Sequence, residues 1–286
     1  MNSSHKPTQK SQTPQDLVTA VVLAFNEQQM IEACLNTLRW TGEVLVIDTG
    51  SSDETVKMAE SWGARVVSIK SPSFAYLRTE ALKYVKTPWV LYIDADERVT
   101  PRLAQEILVN IETNSAEALA FNRQNVYFGR VMKGGGWQTD QVTRAFLVEK
   151  LKTWQGIIHE SPVFAGQQKL LASPLIHLTH RNAIDGLYKT ALWTPKEAEL
   201  LAKSDKTPDV NFRLIVKKMF REFIKRAYLK GGIKDGQTGL IEALIQGINR
   251  ALVYIQVWER QQIPSIGERY QKKETEIRQD WLNNPL

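Results

Sequence analysis

The sequence predicts an α/β fold: a mostly parallel sheet with helices on both faces, followed by a helical extension. Two observations predict the sheet. Short apolar runs alternate with helix-like segments through the first hundred residues, and these runs are apolar throughout rather than at every second position. Strands of that kind are buried on both faces, as in parallel sheets covered by helices. From residue 184 onward the pattern is helical.

The predicted strands of the sheet are 18–25, 43–48, 64–69 and 89–95, and the helices between them are 27–40, 51–63 and 75–85. A further helix covers 100–111, because Thr100 is a natural N-cap and Pro101 a natural first helical residue. Residues 116–180 contain short strand-like segments and the loop "KGGGWQTD". We therefore predict a disordered tail over 1–16, an α/β domain over 17–182 and a helical region over 183–286.

The composition is that of a globular protein with a substantial core: 286 residues, 43% hydrophobic and 24% charged. The polar segment "MNSSHKPTQKSQTPQD" lacks the apolar run of a signal peptide, and no apolar stretch is long enough to span a bilayer. The single cysteine, Cys34, excludes an internal disulfide and favours a reducing compartment. We therefore expect a cytoplasmic protein.

Acidic and amide side chains follow three of the four predicted strands. Asn26 and Glu27 come after the first strand, Asp48 ends the second, and Asp94 and Asp96 follow the fourth in "WVLYIDADERVT". In open parallel sheets, ligands bind beyond the carboxyl ends of the strands. If these strands are neighbours, the side chains outline one acidic crevice.

This crevice predicts a metal–nucleotide site. No glycine-rich phosphate-binding motif is present, so a divalent cation must bridge the carboxylates and a diphosphate. Asp94 and Asp96 point the same way in an extended segment, which suits one Mg²⁺ or Mn²⁺ ion. The alternative is that such acids only start the next helix. By that alternative Asn26 and Glu27 are an N-cap and a first-turn acid. Glu97 is expected to face solvent or to support the ligands.

Several motifs together resemble family 2 glycosyltransferases, and more narrowly the branch of lipopolysaccharide-core and related cell-surface sugar transfer. They run in register from about residue 17 to 260: "VVLAFNE", "VIDTGSSDET", "GARVV", "WVLYIDADERVTPRL", "GGGWQTDQVTRAF", "IHE" and "GGIKDGQTG…WE". The resemblance implies a GT-A fold, a nucleotide-diphosphate-sugar donor (a UDP-sugar), a divalent cation and inversion at the anomeric carbon. It also implies a glycan or glycolipid acceptor of the cell envelope.

The resemblance assigns roles to individual residues. In such enzymes the strand-one Glu and strand-two Asp contact the nucleoside, which carries over to Glu27 and Asp48. The first Asp of D-x-D lies near the ribose and the metal, which carries over to Asp94. The second Asp binds the metal, which carries over to Asp96. We place Asn26, Arg78 and Arg144 in the same nucleotide-sugar site, with Arg144 offsetting the charge of the diphosphate. A solvated strand arginine is the alternative for Arg144.

The chain departs from the branch in two places. Where the branch tends to have "GFAxQRN", this sequence has "SFAYLRT", so Leu77 and Thr79 replace two amides while Arg78 is kept. The glycine-rich loop carries Thr139 where proline is usual. These changes leave the identity of the sugar open, but not the reaction class.

Two acids after D-x-D are candidates for the base that removes the acceptor's proton. Glu160 is preferred because the "HE" pair occupies the place where the wider family puts its catalytic acid, and Asp140 is the alternative. Both are otherwise surface carboxylates on loops. His159 either orients Glu160 or is structural. His177 and His180 are expected to be structural, because they have no partner at metal-ligand spacing.

The loop Gly134–Gly136 with Trp137 predicts either a flexible lid over the sugar or an ordinary hairpin connection.

The net charge of +6 is concentrated in one segment. In the predicted helix 211–232, apolar residues from Phe212 to Tyr228 form one stripe and Arg213, Lys217, Arg221 and Lys225 another. This pattern is typical of a helix on an anionic membrane, here the inner face of the cytoplasmic membrane. The alternative is that the helix packs on the catalytic domain and that its basic face lies in water. Without a recognisable binding module, the charge does not indicate nucleic acid.

Two other functions fit less well. A nucleotidyltransferase of similar fold needs a Gly/Arg-rich loop after strand one, which "AFNEQQ" lacks. A non-catalytic membrane adaptor has no need of acids at three strand ends. The sequence therefore favours an inverting, metal-dependent glycosyltransferase.

Overall fold

The computed structural model describes residues 13–71, 73–156, 160–205 and 207–284. The chain forms two compact units. One contains Met1–Val131 and Trp137–Thr179, and the other contains Met132–Gly136 and His180–Leu286. The second unit thus begins close to the predicted boundary at residue 183, but it also includes a five-residue segment from the middle of the chain that the sequence did not predict.

The first unit contains the predicted alternation of strands and helices. In chain order the elements are β1 (Val18–Ala24), α1 (Ile31–Asn36), β2 (Glu43–Asp48), α2 (Thr55–Trp62), β3 (Arg65–Ser68), α3 (Phe74–Ala81) and β4 (Trp89–Asp94). The four strands pair in parallel in the order β3-β2-β1-β4. The α/β fold with a mostly parallel sheet flanked by helices is therefore confirmed.

The remaining strands of this unit vary in length and are mixed in direction. They are β5 (Glu97–Arg98), then after α4 (Pro101–Thr113) β6 (Ala118–Tyr127), β7 (Arg130–Val131), β8 (Gln141–Leu147), β9 (Leu151–Gln155), β10 (Ser161–Phe164), β11 (Gln168–Leu170) and β12 (Leu175–Leu178). The sheet continues from β4 as β8-β6-β12-β5, with β8 antiparallel to both β4 and β6. Strand β12 lies parallel to β6 and antiparallel to β5, next to the acidic turn.

Local sequence explains where the helices begin and end. The Thr100 side chain accepts a bond of 3.2 Å from the Leu103 N–H, and Pro101 occupies the first helical position of α4, as predicted. Helix α2 ends at Gly63, whose positive φ of 100° favours glycine. Residues 14–17 form a 3₁₀-helix inside the predicted disordered tail, so order begins earlier than expected; residues 1–12 lie outside the described part.

Buried apolar residues cover both faces of the sheet. One cluster joins β1, β2 and β4 to α1, α2 and α4, and the other joins the opposite face to α3 and to β9. Each fully buried leucine or isoleucine in these clusters contributes about 1.5–3 kcal/mol relative to exposure. The packed sheet is therefore a rigid base for the loops at its carboxyl edge.

The second unit is helical. Its helices are α5 (Ala183–Ala202), α6 (Phe212–Ile224, continued by a π-helix over Lys225–Leu229), α7 (Gly236–Arg260) and α8 (Ile266–Asn283). Helix α6 packs closely on α7 at Gly247, where a Cβ would lie 3.1 Å from the Met219 carbonyl oxygen. In the ranges described, no helix has the length and apolarity needed to cross a membrane.

Candidate active site

The predicted acids lie together at the carboxyl edge of the sheet. Strand β1 lies between β2 and β4, with Ala24 opposite Asp48 and Leu23 opposite Asp94. The strand neighbourhood that the acidic crevice requires is therefore present, and the turn after β1 with Asn26 completes it.

Asp94 is held by two arginines. Its Oδ1 accepts a bond of 2.8 Å from Arg78 and its Oδ2 one of 2.5 Å from Arg144. Burial alone would raise the pKa of Asp94, but the guanidinium groups of Arg144 and Arg78 outweigh it and lower the pKa from 3.8 to about 2. Asp94 is therefore a firmly ionised carboxylate whose two oxygens are already engaged.

Glu97 is buried at the centre of the cluster, with none of its surface exposed. It accepts bonds from Arg144 (3.2 Å), Arg123 (3.3 Å) and the backbone N–H of Asp94 (2.9 Å). The alternative that Glu97 faces solvent is therefore wrong. Instead it joins the acidic turn to β6 and β8, which carry the two arginines.

Asp140 also binds an arginine. Arg123 donates two bonds to its carboxylate, of 2.9 and 3.1 Å, and the Asn125 amide donates a third of 2.9 Å. Burial would raise the pKa of Asp140, but Arg123 and Asn125 lower it below its ordinary value. A carboxylate so fully engaged is a weak proton acceptor.

Glu160 differs from Asp140 in that one of its oxygens has no partner among the residues that the structure describes. Its Oε2 accepts a bond of 3.3 Å from Arg78, the arginine that also holds Asp94. Its Oε1 is buried and has no hydrogen-bond partner within the described ranges. His159, the expected orienting residue, lies outside those ranges.

His177, which we expected to be structural, faces Asp96. Its Nε2 lies 3.4 Å from Asp96 Oδ2, and its Nδ1 lies 2.6 Å from Asn125 Oδ1. The Asn125 amide nitrogen donates to Asp140 and to the Trp137 carbonyl (3.2 Å), so its oxygen must face His177. Nδ1 therefore carries a hydrogen that it donates to Asn125, and Nε2 faces the Asp96 carboxylate.

The residues predicted to contact the nucleoside are bonded to nearby backbone. Asp48 accepts bonds from the N–H groups of Gly50 (3.0 Å) and Ser51 (3.2 Å). Asn26 has a positive φ of 54°, and its side-chain oxygen accepts from Ser52 N–H at 2.8 Å. Glu27 is partly exposed in the same turn. These contacts shape the turns after β1 and β2.

We name this group of charged residues the acid–arginine cluster: Asp94, Asp96, Glu97, Asp140 and Glu160 with Arg78, Arg123 and Arg144. All but Glu97 and Arg123 were predicted site residues. Asn26 and Glu27 lie in the turn after β1 and Asp48 at the end of β2, outside this ion-pair network. The eight groups together carry a formal excess of two negative charges.

The donor set fits a divalent cation that also binds a substrate, but not a closed protein cage. Within residues 13–71, 73–156, 160–205 and 207–284, no three His, Cys, Asp or Glu side chains are arranged to hold a metal ion. Asp96 and His177 supply one oxygen and one nitrogen. A cation held by two protein ligands keeps positions for water and phosphate oxygens, as Mg²⁺ usually does.

Three contributors were missed from the sequence: Arg123, Asn125 and His177. Each lies on β6 or β12, and both strands are distant from the D-x-D turn in the sequence. The pairing of β12 with β5 is what brings His177 opposite Glu97 and near Asp96. A local motif search has no signal for such a long-range pairing.

Comparison with known proteins decides the family. A family model described as glycosyl transferase family 2 matches residues 19–172, more than half of the chain. The chain belongs to glycosyltransferase family 2. The match runs from the second residue of β1 to the end of β11, and it includes all eight residues of the acid–arginine cluster. The predicted resemblance is confirmed, and with it an enzyme that transfers sugar from a nucleotide-sugar donor.

Relatives of this family 2 glycosyltransferase match over most of its length. An uncharacterized glycosyltransferase of Rickettsia conorii is 26% identical over 82% of this chain and 87% of its own. The lipopolysaccharide core biosynthesis glycosyltransferase LpsC of Rhizobium meliloti is 23% identical over 85% of this chain and 92% of its own.

Solved structures align more loosely. TarS 1–349 of S. aureus in complex with UDP-GlcNAc aligns with a TM-score of 0.47 at 13% identity, over 85% of this chain and 89% of that one. Glucosyl-3-phosphoglycerate synthase from Mycobacterium tuberculosis, with Mn²⁺, UDP and phosphoglyceric acid, aligns with a TM-score of 0.32 at 23% identity, over 38% of this chain and 43% of that one. The family assignment rests on the sequence match.

Proposed function

We propose that this family 2 glycosyltransferase moves a sugar, with inversion, from a UDP-sugar to a cell-envelope glycolipid or glycan, and that a divalent cation assists. The acid–arginine cluster is the observation that carries the proposal. It lies at the edge of the sheet where ligands bind, and it has two more negative than positive charges. A divalent cation would offset that excess and let a diphosphate approach. The name of the relative LpsC supports a lipopolysaccharide-type acceptor.

Asp96 and His177 are the residues that would hold the Mg²⁺ or Mn²⁺ ion. Nε2 of His177 and the facing Asp96 carboxylate would supply the two protein ligands once Nε2 carries no proton, and Asn125 holds the Nδ1 hydrogen in the way that supporting residues orient metal-binding histidines. When bound, the cation would stabilise the charge of the departing diphosphate. Asp94 is better placed to hold Arg78 and Arg144 than to bind metal, because both its oxygens accept from them.

Glu160 is the proposed base. Its Oε1 has no hydrogen-bond partner among the described residues and is available to take the proton of an acceptor hydroxyl, while Arg78 fixes Oε2. The hydroxyl oxygen then attacks the anomeric carbon as the bond to the diphosphate breaks, and this single in-line displacement inverts the carbon. Asp48, at the end of β2, is proposed to bind the nucleoside together with Asn26 and Glu27, in the turn after β1.

Calorimetric titration of UDP tests this assignment. The wild type should bind UDP more tightly with Mn²⁺ than with EDTA, and Asp96→Asn should abolish the Mn²⁺ effect because it removes a ligand charge but keeps the shape. Glu112→Gln, at an exposed position of α4, is the matched control and should behave as wild type. Equal Mn²⁺ enhancement in wild type and Asp96→Asn would refute the metal site.

We further propose that the helical unit binds an anionic membrane, which would place the enzyme at the inner membrane face. The predicted apolar stripe of α6 has one part that packs on α7 and another part that is exposed. Met219 and Phe223 pack on Gly247 of α7, whereas Phe220, Ile224 and Tyr228 are 57%, 45% and 54% exposed.

Basic side chains accompany the exposed apolar ones. Arg213, Lys217 and Arg221 lie exposed on the same side of α6 as Phe220 and Ile224, at helical spacing. Ile241, Leu244 and Ile248 give α7 an exposed apolar stripe of its own. Exposed aliphatic and aromatic residues bordered by cations suit the headgroup region of an anionic bilayer, where a lipid-linked acceptor would be found.

A further inference from the structure

Arg98 lies in β5, two residues after the proposed metal ligand Asp96, and its guanidinium group donates to backbone carbonyl groups. Its Nη1 donates to the carbonyl oxygens of Ala95 and Glu97, both at 2.7 Å. Its Nη2 donates to the carbonyl oxygen of Met30, the N-cap residue of α1, at 3.1 Å. One side chain therefore joins the D-x-D turn to the N-terminus of α1.

The two carbonyl groups in the D-x-D turn flank Asp96. Ala95 precedes Asp96 and Glu97 follows it, so Arg98 holds the backbone on both sides of the proposed ligand. The Asp96 carbonyl oxygen itself accepts from the N–H of Leu178, in β12, at 2.8 Å. Three successive carbonyl groups of the turn are thus fixed by hydrogen bonds, and this restricts where the Asp96 carboxylate can lie.

The other end of this bridge lies close to the proposed nucleoside residues. The Met30 N–H donates to the Glu27 carbonyl oxygen at 2.8 Å. The turn after β1 is also held from the segment after β2, because the N–H groups of Asn26 and Glu27 donate to the hydroxyl groups of Ser51 (2.9 Å) and Thr55 (2.8 Å). The guanidinium group thus connects the turn proposed to bind the cation with the turn proposed to bind the nucleoside.

This bridge requires a forked side chain. The N–H donors of a guanidinium group are arranged in a rigid plane, so its two terminal nitrogens can bind two different segments at once. In this protein one nitrogen binds the D-x-D turn and the other binds the N-cap of α1. A lysine ammonium has a single nitrogen, which cannot occupy both positions. The chemistry therefore favours arginine at position 98.

Helix α1 contacts the same segment at a second point. The Val99 N–H donates to Thr37 Oγ1 at 3.3 Å, and this hydroxyl donates to the Cys34 carbonyl oxygen at 2.8 Å. The contact joins the end of α1 to the segment after the D-x-D turn, but it does not involve residues 95–97. It is therefore a natural comparison for the bonds of Arg98.

We propose that Arg98 is a positioning residue for sugar transfer: it holds Asp96 in register with the turn after β1, so that one nucleotide sugar can contact both the cation and the nucleoside residues. This inference rests on the proposed function of Asp96. It predicts that loss of the bridge weakens the cooperation between cation and nucleotide more than it weakens the binding of the nucleotide alone.

Calorimetric titration of UDP with Mn²⁺ and with EDTA measures this cooperation as the ratio of the two affinities. Arg98→Lys keeps the charge but can hold only one end of the bridge, and Arg98→Met keeps an unbranched stem and removes every donor. Thr37→Val removes the second contact of α1 without touching residues 95–97. Arg102→Lys, at a side chain of α4 that is 84% exposed, is the surface control. A urea transition for each variant establishes that it is folded.

Both Arg98 variants should lose about tenfold in UDP affinity with Mn²⁺, as for the loss of other groups that support a metal ligand. Their UDP affinity in EDTA should equal that of the wild type, because the turn after β1 keeps its bonds to the segment after β2. Thr37→Val and Arg102→Lys should keep the full Mn²⁺ enhancement. Arg98→Lys keeps the charge and one end of the bridge, so it tests the proposal even where Arg98→Met unfolds.

A wild-type Mn²⁺ enhancement in Arg98→Lys would overturn the proposal. Equal losses in Arg98→Lys and Thr37→Val would also overturn it, because they would show a general loosening of the turn. An Arg98→Lys protein that is unfolded, or that loses as much UDP affinity in EDTA as with Mn²⁺, would show a purely structural residue. A wild type that binds UDP equally with Mn²⁺ and with EDTA would instead overturn the proposed metal site, and this inference with it.

Discussion

Replacing Glu160 by glutamine is expected to remove the catalytic base and leave the fold intact. The amide oxygen can still accept the 3.3 Å bond from Arg78, so the stability lost is only the difference between a charged and a neutral acceptor, about 1 kcal/mol. Loss of a positioned base lowers kcat by about 10²–10⁴-fold, which corresponds to about 2.7–5.5 kcal/mol in the transition state. The kinetic effect should therefore exceed the stability effect.

The assay is the initial rate of UDP release at saturating Mn²⁺, with the donor titrated to separate kcat from KM. Glu160→Gln should keep the donor KM, because proton removal matters only in the transition state. Asp140→Asn should behave differently: it weakens the bidentate contact with Arg123 and should cost about 1.5–3 kcal/mol of stability with a smaller fall in kcat. A large loss of kcat in a stable Asp140→Asn, with near wild-type turnover in Glu160→Gln, would refute the choice of base.

Three further predictions concern the membrane face, the buried network and pH. Reversing Arg213, Lys217 and Arg221 to glutamate should weaken binding to anionic vesicles by at least about 3 kcal/mol, since each cation contributes about 1 kcal/mol. Wild-type co-sedimentation that is equal with neutral and anionic vesicles would contradict this. Glu97→Gln should lower the free energy of unfolding in urea by about 3 kcal/mol, because it leaves the buried Arg144 and the half-buried Arg123 with one anion each; an unchanged midpoint would refute the network's role. Burial would raise the pKa of Glu106, but bonds from the side chain and backbone of the loop after β11 lower it below 4.5. Its stabilisation is therefore present above about pH 4.5 and is lost as the pH falls through the lowered pKa, so Glu106→Gln should destabilise the protein more at pH 7 than at pH 3; a pH-independent difference would contradict the sign.

The sequence predicted those parts of the structure that local pattern determines. The strand β4 ends in acids because its apolar run stops at Ile93, and Thr100 begins α4 as its cap position requires. The helix predicted from residue 27 begins only at Ile31, because the N–H groups of Asn26 and Glu27 bind Ser51 and Thr55 across the turn. That bond pattern has no signature in the sequence of the helix.

The parts that could not be predicted depend on long-range pairing. The sequence predicts a structural His177 because it has no partner at metal-ligand spacing, and the residues that it faces, Asp96 and Asn125, are distant from it in sequence. The glycines at 134–136 suggested flexibility, since composition does not distinguish a mobile loop from a close backbone contact. Only the packing against Gly231 separates the two.

Metal-dependent release of UDP tests the central claim most directly. The wild type and Asp96→Asn are incubated with a panel of nucleotide sugars, with Mn²⁺ or with EDTA, and nucleoside diphosphate release is followed. We expect the wild type to release UDP from one UDP-sugar with Mn²⁺ but not with EDTA, and Asp96→Asn to release none above background. Release that persists in EDTA or in Asp96→Asn, or no release from any donor, would contradict a cation-assisted transfer at this site.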